Sequence, residues 1–413
     1  MRLLWLYLLS FLTFPIIGEF IVWYKGLTIE AGNVNLSLII NNVIFVAILV
    51  IIAYIIQKYR FKKKTVAPKF DYFFTKKIIN RSILVLILAT FVVFALVGWK
   101  ILFHIANRGE IRVSLGMFGP FYTWILLYLT PAILILNSII YLRVEDDIKK
   151  RLKNKLFLLY FLAILMGILT GYKAAFVLIS IGGIVVLTYD SLSLKRLLLL
   201  CSVIMIGLIF TTILVRGVNV LSAVNFLIYR ATVMTSYGTI ATWNIYPYGA
   251  PFDERLFNFL SIFGNKMASL ISGYPINSIE FLKINLARLI TYMRYPDISG
   301  AIRGTVNVTV TNFGEAVYFF GRQLYFIYAV MAGLIIGIVI RKFEKCVIYG
   351  LPLKGTLFGV YLFSVVIPWI NSASIWNLIG LPTIIWLLGT YIILHLIIKI
   401  KSIYPFETRK LLK

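Results

Sequence analysis

The sequence is poor in charge. Only 14% of its 413 residues are Asp, Glu, Lys or Arg, and just 15 of them are acidic. A soluble domain usually carries about 25% charged residues. With 61% hydrophobic residues this chain could not cover a soluble surface, so a soluble enzyme and a disordered protein are excluded. Cysteine is scarce as well: Cys201 lies in an apolar run and Cys346 in a basic segment, which leaves no disulfide framework. There are two histidines, His104 and His395, and no Cys/His cluster or His-Glu-x-x-His pattern, so no metal and no cofactor are expected. Neither a Gly-rich phosphate loop nor a Ser/His/Asp order is present. No Gly/Ser/Pro-rich linker and no internal repeat divide the chain.

What the chain has is apolar sequence in long runs. They fall at about 3–22, 37–57, 83–103, 121–141, 156–172, 174–189, 197–215, 325–340, 355–370 and 378–398. Runs of about 20 apolar residues span the hydrocarbon core of a bilayer as helices. The fifth and sixth are the shortest, parted only by the turn Gly171-Tyr172-Lys173. The first lacks a small-residue cleavage site and reads as a retained helix. The expectation is an all-α polytopic membrane protein of about ten helices, with a range of about ten to twelve.

Cations alternate along this pattern. Arg2 and the loops after the second, fourth, sixth, eighth and tenth runs hold 27 of the 41 Lys and Arg residues. The short loops between hold only Lys25, Lys100, Arg108, Arg112 and Lys173. Positive loops stay in the cytoplasm, which predicts cytoplasmic N- and C-termini. The net charge of +26 is then a topology signal and an affinity for anionic membrane lipid, not for nucleic acid.

Residues 216–324 break the alternation. They divide the chain into helices one to seven (1–215), a long outer loop (216–324), and helices eight to ten with a cytoplasmic tail (325–413). The loop holds seven Arg and two Lys, whereas 58–82 holds seven Lys and two Arg. Guanidinium is a flat fork suited to bidentate contact with phosphate or carboxylate. Nine cations against Asp253, Glu254, Glu280, Asp297 and Glu315 leave a surplus of four (9 − 5), more than internal pairing absorbs. Ile279, Leu282, Leu286, Leu289, Ile290 and Met293 recur at helical spacing. Asp253 and Glu254 open a second amphipathic stretch through Ile271, as acidic residues do at a helix N-terminus. The loop reads as a folded cap of two or three helices lying on the membrane or on the bundle.

Three cations are expected to converge at the outer headgroup plane: Lys173 in its turn, Arg216 at the end of helix seven and Arg322 at the start of helix eight. Glu315 precedes Arg322 by seven residues, about two helical turns, so both face one way if that segment is helical. Such a cluster suits a lipid-linked diphosphate, with the carboxylate a candidate base for an attacking hydroxyl. A salt bridge between Glu315 and a neighbouring Arg is the structural alternative. Glu19 is expected to snorkel or pair with Lys25, and His395 to be structural.

Two local patterns carry a resemblance. Leu169-Thr170-Gly171-Tyr172-Lys173 is similar to a Gly-x-Arg turn between two helices, with Lys in place of Arg. Thr311-Asn312-Phe313-Gly314-Glu315, followed by Tyr318, Phe320 and Gly321, is similar to a Gly-Glu-…-Phe-Gly segment that opens the helix after a large outer loop. With the helix plan and the arginine-rich loop, the chain resembles the bacterial oligosaccharide repeat-unit polymerases of O-antigen and capsule, of the Wzy type, over about 156–340. The resemblance implies a GT-C-like glycosyltransferase of the cytoplasmic membrane, acting on its outer face without a metal or nucleotide sugar. It would join undecaprenyl-diphosphate-linked repeat units, with a flippase and a chain-length regulator as further partners. Lys173, Arg216, Arg230, Arg303 and Arg322 would bind diphosphate, and Glu315 with Arg216 would be catalytic. Alternatives are an O-antigen ligase-type transferase, though residues 216–324 lack the His such ligases usually carry there, and a lipid-linked oligosaccharide flippase.

Overall fold

The computed structural model describes residues 2–399 apart from 28, 60–68, 104–114, 117, 171–174, 190–193, 297 and 304–305. Lys173 with its turn, His104, Arg108, Arg112 and Asp297 therefore lie outside the described residues. Among the described residues every regular element is a helix. The chain begins with α1 (Arg2–Tyr24), α2 (Leu36–Lys58), α3 (Tyr72–Ile101), α4 (Phe118–Leu142) and α5 (Asp146–Leu169). There follow α6 (Ala175–Leu187) and α7 (Leu194–Arg216). After six short helices come α14 (Asn312–Ile348), α15 (Pro352–Trp369) and α16 (Leu381–Lys399). Among the described residues the first five and last three make eight helices long and apolar enough to cross a membrane. The chain is thus a polytopic, multi-pass membrane protein. At 13 residues α6 is only about 20 Å long, short of a hydrocarbon core of about 30 Å.

Contacts gather the helix ends into two groups. Trp5 Nε1 donates to Gln57 Oε1 at 2.8 Å, and Gln57 Nε2 to Glu344 Oε2 at 2.8 Å. Tyr189 Oη also donates to Glu344, Lys69 pairs with Glu145, and Arg143 Nη2 donates to the carbonyls of Val347 and Ile348. Arg81 reaches the carbonyl of Ile397 near the end of α16. These contacts join the start of α1, α3 and α5 to the end of α2, α4, α6, α14 and α16. That is the lysine-rich end, and the helices alternate in direction as the cation pattern predicts.

Packing is tightest where side chains are smallest. Gly333 and Gly337, one turn apart on α14, face α2, where an added Cβ would stand 2.8 Å from the carbonyl oxygens of Leu49 and Ala53. Small residues let membrane helices approach backbone to backbone in this way. At the centre α4 is buried without a break from Ile125 to Ile140 apart from Leu127. Its Asn137 Nδ2 donates to the carbonyl of Ile133 and, at 2.8 Å, to Ser82 Oγ.

At the other end six short helices form a layer: α8 (Val220–Ala231), α9 (Val233–Ile245), α10 (Phe252–Phe259), α11 (Asn265–Ser272), α12 (Leu286–Arg294) and α13 (Ile298–Arg303). Asp253 and Glu254 do stand in the first turn of α10. The helix expected across 279–293 is broken: Glu280–Ile284 is a 3-10 turn, and Asn285, extended, caps α12 through the Arg288 N–H.

The helix expected to start near 325 starts instead at Asn312. Thr311 caps it, and the Asn312 N–H donates to the carbonyl of Ile370 at 2.8 Å. Hydropathy misses this start because Asn312 and Glu315 are polar yet buried. At Gly321 the helix is broken by φ 71°, ψ −177°, a backbone conformation open essentially to glycine alone. There the 247–250 turn inserts: the Arg322 N–H donates to the Pro247 carbonyl and the Ala250 N–H to that of Tyr318.

Candidate functional site

Glu315 is fully buried where the layer meets the bundle. Its Oε1 accepts the Ile375 N–H at 2.7 Å, and its Oε2 accepts Trp369 Nε1 at 2.8 Å and the Tyr328 hydroxyl. No arginine is involved, so the alternative of a salt bridge is absent among the described residues. The carboxylate instead links the first half of α14, the end of α15 and the segment before α16. Since Tyr328 lies beyond Gly321, the same carboxylate also clamps the two halves of α14 across the kink. Trp369 and Tyr328 give no sign of this role in the sequence, where both stand among apolar residues.

Arg322 does not share a helical face with Glu315, because the non-helical Gly321 lies between them. The Arg322 fork donates through Nε and Nη2 to the carbonyl of Trp243, near the end of α9, and its plane lies 4.6 Å from the Trp243 ring centroid. Carbonyls at a helix C-terminus lack partners and carry partial negative charge, which suits a guanidinium.

Other arginines of the layer are held in the same manner. Arg255 Nη1 donates to the Phe319 carbonyl at 3.0 Å, and Arg288, buried, to those of Ala301 and Ile302. Burial pushes the pKa of Arg288 below the usual arginine value. Arg303 is exposed and turns back on Ser299 in its own helix. Among the described residues the ion pair of this layer is Lys283 with Asp253 at 3.7 Å, and no arginine pairs with a carboxylate. The arginine surplus thus feeds helix ends instead of ion pairs, a use that counting charges does not reveal.

Arg216 and Arg230 differ from these. The Arg216 guanidinium sits 3.5 Å from the ring centroid of Phe226, a cation–π contact. Phe226 and Arg230 are four residues apart on α8, hence on one face. Both arginines are exposed. The α8–α9 junction, two residues past Arg230, is placed by Gly18 of α1, where an added Cβ would meet the Thr232 carbonyl oxygen at 2.2 Å. Gly18 is six residues, about 9 Å, short of the end of α1, so the α8–α9 junction dips below the end of that span.

The four candidate cations among the described residues are therefore not one cluster. Arg216 lies over Phe226 of α8 and Arg230 follows one turn further along that helix, while Arg322 is bound at the far end of α9, about 15 Å along the axis from Val233 to Trp243. Arg303 ends α13, which packs on α12. Glu19 does not pair with Lys25. It is fully buried and accepts from Asn42 Nδ2 at 2.7 Å. His395 stacks on Tyr391. Among the described residues no group of three His, Cys, Asp or Glu side chains is placed to hold a metal.

The arrangement defines a multi-pass membrane protein that carries a helical, arginine-rich layer at one end. No known protein family matches the chain, and neither a curated protein nor a solved structure does.

Proposed function

We propose that the chain is a membrane glycosyltransferase that polymerises undecaprenyl-diphosphate-linked oligosaccharide repeat units on the outer face of the bacterial cytoplasmic membrane. One observation carries the reading: the exposed Arg216 guanidinium lies over Phe226 of α8, and the exposed Arg230 follows one turn further along that helix, which ends beside Gly18 of α1. Exposed guanidinium forks beside a span suit a diphosphate whose lipid tail stays in the bilayer. The positive-inside pattern assigns this end to the outside.

In the transfer, the acceptor sugar's hydroxyl oxygen forms a bond to the anomeric carbon of the donor glycan. The bond from that carbon to the diphosphate oxygen breaks, and the lipid diphosphate leaves with the electron pair. The hydroxyl proton passes to a base. Arg216 and Arg230 stabilise the charge gathering on the leaving diphosphate. Lys173, Arg303 and Arg322 complete the candidate set, with Arg322 anchored to Trp243 as a positioning residue. Glu315 is fully buried and holds three donors from three segments, so we assign it to positioning.

The test is complementation of a deletion strain, read as glycan length on a gel. Loss of the ladder to a single repeat, restored by the wild-type chain but not by Arg216→Ala with Arg230→Ala at equal membrane abundance, is the expected result. Polymer that forms but stays on its lipid carrier would make the chain a ligase. Repeat units retained on the cytoplasmic face would make it a flippase.

A further inference from the structure

The helices α10 and α11 each bury one side and leave the other apolar and bare. Inward, Phe257 and Leu260 meet Ala268, Phe281 and Ile284 in a small core separate from that of the bundle. Outward stand Phe252, Leu256, Phe259, Phe263, Met267 and Leu270, all exposed, with Phe252 at 73% and Leu270 at 76%. An exposed apolar surface of this extent marks a docking face.

What covers it follows from its position. The 3-10 turn Leu260–Phe263 joins α10 to α11 and packs on the start of α16, where an added Cβ at Gly264 would touch Pro382 at 2.8 Å. The Ile262 carbonyl oxygen lies 3.4 Å from the same position at Gly380, and Phe259 meets Trp376 edge to face at 4.8 Å. From there α16 descends with its own bare apolar side chains, Leu381, Ile384, Ile385 and Leu388, each more than 40% exposed. This is the lipid-facing side of a span, and the bare face of α10–α11 adjoins its upper edge. Lys266 of α11 is exposed beside Met267, as a cation on the rim of an interfacial helix would be.

We infer that α10 and α11 lie in the interface of the bilayer, with this apolar face seated at the boundary of headgroups and acyl chains beside α16. Gly264 and Pro382 then mark the membrane surface on that side of the molecule. The layer's other amphipathic helix, α12, is buried within the protein from Leu286 to Thr291 and takes no part. The inference does not depend on the glycosyltransferase reading, and it holds for either leaflet.

Single cysteines placed at Leu270, Met267 and Lys266 of the full chain, with Cys201 and Cys346 replaced by Ser, test it in phosphatidylglycerol/phosphatidylethanolamine vesicles. Each carries an environment-sensitive fluorophore, and lipids spin-labelled at shallow and deep positions serve as quenchers. The expected result is blue-shifted emission at 267 and 270, quenched at least two-fold more by the shallow label than by the deep one, with 266 in water. Water-like emission at all three positions overturns the proposal. So does a blue shift at 270 that no lipid quencher reaches, and one that fades on dilution in lipid would assign the face to a second copy of the chain. Leu256→Cys, on the other helix, repeats the reading if a variant at 267 or 270 fails to fold.

Discussion

At the lysine-rich end, cations make exposed pairs over short distances: Lys69 with Glu145, Lys149 with Asp146 and Lys150 with Asp147. At the other end, Arg255, Arg288 and Arg322 turn their forks onto main-chain carbonyls. The two ends carry the same sign of charge but use it differently. An ammonium is a strongly hydrated point charge that stays in water. A guanidinium is weakly hydrated and flat, so it can be half-buried against a helix terminus that needs donors. The arginines therefore help build the layer, and the lysines chiefly mark the side on which they remain. Arg143, at the lysine-rich end but bound to the carbonyls of Val347 and Ile348, shows that the rule follows the residue type and not the end.

The contrast breaks most sharply at Gly321. Gly321→Val puts a side chain where φ is +71° and an added Cβ would be 2.7 Å from the Tyr248 carbonyl carbon. A loss of about 3 kcal/mol or more is expected, read as a lowered melting temperature in detergent. An unchanged melt would mean that the 247–250 turn does not hold α14. Next comes Glu315→Ala, which leaves Tyr328, Trp369 and the Ile375 N–H without an acceptor and costs about 2–4 kcal/mol. Glu315→Gln keeps one acceptor and loses about 1 kcal/mol. If Glu315 only positions its neighbours, the Gln variant makes long polymer; a fully folded Gln variant arrested at one repeat would make it the base.

Arg288→Lys removes the fork held by Ala301 and Ile302. A loss of about 1–3 kcal/mol is expected, with faster proteolysis near 294–303. Arg143→Lys should cost a similar amount, although it lies at the opposite end. If only Arg288→Lys costs stability, location matters and the residue-type rule fails. The smallest effect belongs to Lys69→Ala, whose pair is exposed on both sides and should leave the melting temperature unchanged.

Much of the bundle was legible because a bilayer imposes a simple code. Backbone polar groups must be satisfied internally in lipid, so each long apolar run forms a helix, and the cation alternation gives its direction. Among the described residues eight of the ten runs correspond to helices long and apolar enough to span a membrane. The exposed apolar face of α10 and α11 was foreshadowed by the amphipathic spacing from Asp253 to Ile271. The candidate site was less legible. Arg216, Arg230, Arg303, Arg322 and Glu315 stood out by type, but type does not say what a polar group touches.

The sequence by itself determined an all-helical membrane protein, the alternation of its spans and an arginine-rich segment between the last two groups of helices. These depend on hydropathy and charge, which act residue by residue against the solvent. Tertiary structure alone decided that Glu315 is closed in by Tyr328, Trp369 and Ile375, and that Gly321 parts it from Arg322. It also placed the Arg322 fork on Trp243 and left Arg216 and Arg230 exposed. Hydrogen bonds need both partners within about 3 Å and in line, and partners 13, 54 and 60 residues apart in sequence meet only when the chain has packed.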